Sequence, residues 1–213
     1  MQTRKLLEAG IVAGLLVMAT SFTLAFATKG FDLTRHANSL LVLGEWGWLQ
    51  TLNFISFGAL VTLAALGARR VLRGKPGGLW GPLLLATYGI GGIIVGFAPA
   101  DPAFGFPPGA ESAYQGYGSV SRSAQIHGIA GGIAFTAMAI ACFVFARYFM
   151  AVKQYGWAVL SLVTGASVFI VTGYLASYAG KELTSFNYIP VWAVGSLLWL
   201  YVSLVSWKLR KLA

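Results

Sequence analysis

Six apolar segments of about 20 residues each, separated by loops, constrain this chain more than any other feature of its sequence. Such a segment is long enough to cross a bilayer as an α-helix, which bonds all of its backbone polar groups internally. We therefore expect an all-α polytopic membrane protein, a single domain over residues 1–213 formed by a bundle of six transmembrane helices. The expected helices lie at about 6–27, 48–68, 79–98, 126–149, 157–179 and 189–207.

Composition supports this class and excludes an additional soluble domain. Only 10% of the residues are charged, whereas a soluble domain carries about 25%. Ala25-Phe26-Ala27 has the small-x-small pattern of a signal-peptidase site, but the apolar run before it is longer than the apolar region of a signal peptide. We therefore expect residues 6–27 to be the first helix of the bundle.

The distribution of lysine and arginine predicts the orientation of the bundle. The net charge is +9, but the basic residues are spread over loops between apolar segments, so no nucleic-acid partner is expected. One side of the bundle carries only four of them: Lys29, Arg35, Arg122 and Lys181. The other side carries eleven: Arg4, Lys5, Arg69, Arg70, Arg73, Lys75, Arg147, Lys153, Lys208, Arg210 and Lys211. The positive-inside rule then predicts a multi-pass protein of the cell (inner) membrane with both termini in the cytoplasm.

The long outer loop 99–125 carries the strongest candidate for a functional site. Asp101 follows a helix-ending proline, and Arg122 and His127 stand where the fourth helix begins. Ionisable groups at membrane ends are rare and are functional candidates by default. In a bonded Asp–His pair the carboxylate would fix the imidazole tautomer, leaving the other nitrogen as a base or ligand, so Asp101 and His127 are catalytic candidates. Alternatively, Asp101 pins the loop and His127 bonds a carbonyl group.

Further candidates for ligand binding are Arg122, His36, Glu45, Gln50 and Asn53, all predicted near the outer face. Arg122 would bind an anionic lipid phosphate or would hold the loop through a carboxylate. Gln50 and Asn53 share one face of the second helix, where they bond neighbouring helices or line a polar pocket. His36 and Glu45 would complete a metal site with the Asp–His pair. With only two histidines, both at helix ends, we predict neither a metal nor a haem or other cofactor.

Glycines in the third and fourth helices form smooth faces that predict close helix packing. Because glycine has no side chain, two such faces allow the helix backbones to come into direct contact, as small residues do between membrane helices. We expect these two helices to approach each other near Gly92, Gly96, Gly128 and Gly132.

Three motifs resemble the bacterial and archaeal family named "domain of unknown function 998" (DUF998). They are the pattern Ser39-x4-Gly44-x3-Trp48-x4-Asn53-x4-Gly58, the helix end Gly96-Phe97-Ala98-Pro99-Ala100-Asp101-Pro102, and His127-Gly128. The resemblance covers most of the chain. It implies a six-helix membrane fold and, through a distant likeness to eukaryotic proteins of lipid remodelling, a lipid-related role without a defined reaction.

Three functions stay open at this point. The favoured one is non-enzymatic lipid binding or handling through the outward-facing polar cluster, with membrane lipids as partners. The second is a membrane-embedded hydrolase or acyltransferase that uses His127 and Asp101. The third is an accessory or structural subunit, whose partner would be a second copy of the chain or another membrane protein.

Overall fold

A computed structural model describes residues 1–110, 120–177 and 187–213, and within these ranges the chain is helical with connecting loops. Six of its helices are long and apolar enough to cross a membrane, which confirms the predicted all-α class and the predicted number of spans. A short 3₁₀ helix precedes the second of them. In chain order they are α1 (Gln2–Ala27), the 3₁₀ helix (Asn38–Leu43), α2 (Gly47–Val71), α3 (Trp80–Phe97), α4 (Arg122–Ala151), α5 (Tyr155–Ala176) and α6 (Ile189–Arg210).

Several helices extend beyond the apolar segments that predicted them. α1 begins at Gln2 and α4 begins at Arg122, four residues before each predicted start. Hydropathy marks the part of a helix inside hydrocarbon, whereas the hydrogen-bond ladder continues into the polar residues that flank it. At α4 the cap is Ser121, whose hydroxyl oxygen accepts a bond of 3.1 Å from the amide nitrogen of Ala124. The predicted end of the fifth helix at 179 lies outside the described residues.

Consecutive helices pack side by side, and α1 also packs against α6, which brings the two ends of the chain together. At one end of the bundle an ion pair joins Arg210 of α6 to Glu8 of α1 at 2.7 Å. At the other end, the loops 28–46 and 98–110 cover the helices, and we call this the cap end. It contains the C-terminal ends of α1 and α3 and the N-terminal ends of α2, α4 and α6.

Glycines pack closely between α1 and α6, where a Cβ atom on Gly14 would press against the backbone of Trp199, and between α2 and α3. A Cβ atom on Gly89 would lie 2.7 Å from the carbonyl oxygen of Gly58 and 2.6 Å from the hydroxyl oxygen of Thr62. Gly96 also faces α2, since a Cβ atom added to Gly96 would lie 2.7 Å from Cγ1 of Ile55. The backbones of α2 and α3 can approach this closely only because these positions carry no side chain.

The predicted glycine contact between α3 and α4 is wrong. Added Cβ atoms on Gly128 and Gly132 would meet nothing within 4 Å among the described residues. α3 instead faces α4 through Gly91, where an added Cβ would press against Ala134. Because α3 turns most of its glycines toward α2, the glycines at the start of α4 remain unpacked.

Candidate functional site

His36 lies in the loop at the cap end and bonds backbone groups through both ring nitrogens. Its Nδ1 accepts a bond of 2.9 Å from the backbone N–H of Asp32, so Nε2 carries the hydrogen and donates to the carbonyl oxygen of Phe104 at 3.2 Å. The side chain is only 4% exposed. Burial lowers the pKa of His36 below its ordinary value, opposed in part by the bond to Phe104. The neutral ring, which is hydrogen-bonded through both of its nitrogens, joins the two cap loops and leaves neither nitrogen free to bind a ligand.

Aromatic rings surround His36 and attach the cap to the start of α6. Phe31 and Phe106 lie with ring centroids 5.2 and 5.3 Å from the imidazole, and Phe31 and Phe106 meet edge to face at 5.2 Å. The indole N–H of Trp192 donates to the backbone carbonyl of His36 at 2.9 Å. These contacts make a small hydrophobic core of the cap.

Asp101 and His127 both lie where the end of α3 meets the start of α4, and each bonds a backbone group there. Pro99 ends α3, which leaves carbonyl groups without helical partners. The Nδ1 of His127 donates to the carbonyl oxygen of Ala98 at 2.8 Å, and Asp101 Oδ2 accepts from the backbone N–H of Ser121 at 2.7 Å. A direct Asp–His hydrogen bond is not among the bonds formed by the described residues. The geometry therefore matches the structural alternative, while the catalytic roles stay predictions.

A cavity of about 170 Å³ lies between α2, α3, α4, α6 and the 3₁₀ helix. At the cap end its polar side chains are Asn38, Ser39 and His127, and Tyr88 and Trp199 lie deeper, near the middle of their helices. The other lining residues are apolar: Ala37, Phe54, Phe57, Gly91, Gly92, Val95, Gly131, Ala134, Phe135, Val191, Gly195, and the mainly apolar Trp192. Asp101 is not among the described residues that line it.

Gln50 and Asn53 belong to a buried polar network beside this cavity. Gln50 is fully buried and donates to Asn38 Oδ1 at 3.1 Å and to Ser21 Oγ at 3.4 Å. Asn53 is 5% exposed and donates to Gln50 Oε1 at 3.2 Å, to Ser21 Oγ at 3.2 Å and to the carbonyl oxygen of Val17 at 3.4 Å. The pair joins α2 to α1, as the interhelical alternative predicts, and its outer end reaches a residue that lines the cavity.

The two remaining candidates are exposed at the cap end. Arg122 is the first residue of α4, and Glu45 lies in the turn between the 3₁₀ helix and α2. In the described ranges, no three His, Cys, Asp or Glu side chains come close enough together to hold a metal ion.

Sequence reasoning missed the cavity because its lining comes from five separate elements. Asn38, Tyr88 and Trp199 were not candidates. The sequence feature that could have indicated the cavity is a set of glycines on helices that also carry aromatic residues, since Gly91, Gly131 and Gly195 all line it.

Comparison with known proteins gives one match. A family model described as "Protein of unknown function (DUF998)" matches residues 11–208, which include all six helices in whole or in large part. No curated protein and no solved structure matches the chain.

Proposed function

From the premise that this chain belongs to the DUF998 family, which is described as being of unknown function, we propose that it binds a membrane lipid. Part of one acyl chain would enter the cavity between α2, α3, α4 and α6, and the head group would lie at the cap end beside His127, Asn38 and Ser39. The observation that carries this proposal is a cavity with apolar walls and one polar end.

The size of the cavity favours part of a long ligand over a whole small molecule. Pockets that enclose a small molecule usually measure about 300–1,000 Å³, and apolar cavities of about 150 Å³ hold a group the size of benzene. At about 170 Å³, this cavity suits a short stretch of hydrocarbon whose remainder stays in the bilayer.

The unpacked glycines of α4 give such a chain a route from the bilayer. Gly131 lines the cavity, and added Cβ atoms on Gly128, Gly131 and Gly132 would meet nothing within 4 Å. Across the cavity, the nearest atom to an added Cβ on Gly195 of α6 is 4.0 Å away. Space between the small-residue faces of α4 and α6 would admit hydrocarbon from the side.

The charge distribution supports an outer-leaflet position for the site. By sequence, the termini and the predicted loops on their side contain eleven basic residues and the predicted loops of the opposite side contain four, which favours cytoplasmic termini in a cell membrane. The cap end then faces outward, where Arg122 would lie at head-group level.

Binding without catalysis is preferred over the hydrolase and acyltransferase alternatives. His127 is oriented by the carbonyl group of Ala98, and Asp101 bonds the backbone of Ser121. A histidine general base in a triad is oriented by a carboxylate, which also stabilises the imidazolium that forms. In these hydrogen bonds no carboxylate orients the ring of His127, and none is placed to stabilise its protonated form.

Filling the cavity should remove the lipid without unfolding the protein. In Gly131→Leu the new side chain has room at Cβ and extends into the cavity, and replacing glycine within a helix gains up to about 1 kcal/mol of helix propensity. We expect native mass spectrometry of protein extracted in mild detergent to show loss of most of the lipid that wild type retains.

Gly132→Leu is the matched control. It lies one residue further along α4, is equally unpacked, and is not among the described residues that line the cavity. It should keep the lipid, and equal retention by the two variants would refute the proposed binding site.

A further inference from the structure

A backbone carbonyl determines which hydrogen-bonding role His127 offers to the cavity. A carbonyl oxygen only accepts, so the Nδ1 that lies 2.8 Å from the oxygen of Ala98 carries the hydrogen. In the neutral imidazole, Nε2 is then an acceptor. No described residue supplies a partner for Nε2, and His127 lines the cavity. The ring of this cavity-lining residue therefore carries an unpaired acceptor.

A second carbonyl determines the role of Asn38 through two intermediates. The carbonyl oxygen of Val17 only accepts, so Asn53 must direct its NH₂ group there and to Gln50 Oε1. Gln50 consequently directs its own NH₂ group toward Asn38 Oδ1, at 3.1 Å. With its oxygen engaged, Asn38 has its NH₂ group left as a donor for the cavity that it lines. Gln50 and Asn53 thus act on the site as positioning residues.

One acceptor and one donor together match a hydroxyl group, which both donates and accepts. We infer that the lipid bound here is a neutral lipid alcohol, a long-chain molecule with a free hydroxyl, which donates to His127 Nε2 and accepts from Asn38. A phosphate head group brings mainly acceptors and would set its negative charge against the lone pair of Nε2. This inference rests on the proposed function, since it names the head group of the lipid whose chain fills the cavity.

Three probes with one common chain test the inference on the wild-type protein: oleyl alcohol, oleyl methyl ether and oleyl phosphate. The ether keeps the acceptor oxygen but has no O–H, and the phosphate adds charge. We expect competition binding in detergent micelles to show oleyl alcohol about tenfold tighter than the ether, since the ether leaves Nε2 unpaired. Equal affinity for alcohol and ether, or tightest binding of the phosphate, would overturn the hydroxyl assignment and leave lipid binding standing. Binding of none of the three would overturn the proposed function, and the assignment with it.

The variant His127→Asn separates the ligand role of the ring from its structural role. The asparagine NH₂ group can replace Nδ1 as the donor to Ala98, whereas its shorter side chain places no acceptor at the position of Nε2. We expect the preference for alcohol over ether to disappear while binding of the ether is unchanged. Gln125→Ala changes an exposed residue two positions earlier on α4 and should keep the full preference. An undiminished preference in a folded His127→Asn protein would contradict the assignment.

Discussion

Gly58→Leu is expected to prevent the chain from folding. An added Cβ at this position would press against the carbonyl oxygen of Gly89 and would lie 2.7 Å from both the backbone nitrogen and the Cγ1 atom of Ile93. Two of these three atoms belong to the α3 backbone, so the steric clashes can be relieved only if α3 moves away from α2. Between membrane helices, van der Waals packing takes the place of the hydrophobic drive, and a separated pair loses it. We expect a cost of about 3 kcal/mol or more, measured as loss of the monodisperse peak and of cooperative thermal unfolding in detergent.

The same leucine placed elsewhere provides the control for this result. Gly132→Leu lies at an exposed position on α4 with no neighbour within 4 Å of an added Cβ, so its unfolding temperature should stay near that of wild type. If the Gly58→Leu protein unfolds at the same temperature as wild type, α2 and α3 are not in backbone contact at this position.

Phe106→Ala is expected to destabilise the cap end by about 3–5 kcal/mol, the range for removing a buried phenylalanine side chain. Phe106 is 1% exposed and packs against the rings of Phe31 and His36 at 5.2 and 5.3 Å. Its loss leaves a gap beside a histidine whose two hydrogen bonds hold the cap loops together. The free energy of unfolding in mixed micelles measures the effect.

Phe97→Ala removes the same side chain from the end of α3, where it is 73% exposed. It loses little packing, so its effect should stay below about 0.5 kcal/mol. Similar losses in the two variants would mean that the ring of Phe106 is not buried in the cap.

The sequence predicts the helices of this protein well because a membrane span is a local property. Length and apolar composition locate all six spans, and the resemblance to the DUF998 family is confirmed by the match over residues 11–208. The polar starts of α1 and α4 were missed because hydropathy does not detect the hydrogen-bond ladder or the Ser121 cap. Orientation in the membrane follows from charge counting and remains a prediction.

The candidate site was less predictable because pairing between helix faces is a tertiary property. The glycines of α3 and α4 suggested contact with each other, yet α3 turns Gly92 and Gly96 toward α2. For His127, the spacing in sequence permitted both a carboxylate and a carbonyl partner, and only the fold selects Ala98. No local pattern predicts that Asn38 and Trp199 share a cavity, because these two residues lie more than 150 positions apart in the sequence.

Photocrosslinking with a diacylglycerol, which has a free hydroxyl and carries a diazirine within one acyl chain, tests most directly whether hydrocarbon occupies the cavity. After illumination in vesicles, we expect labelled peptides to include Tyr88 and Trp199, which line the cavity and are only 4% and 7% exposed. Gly131→Leu should abolish this labelling and leave the labelling of Ile129 and Ile170 unchanged, since these side chains are 66% and 73% exposed. Labels confined to such exposed residues in the wild-type protein would contradict the occupation of the cavity by an acyl chain.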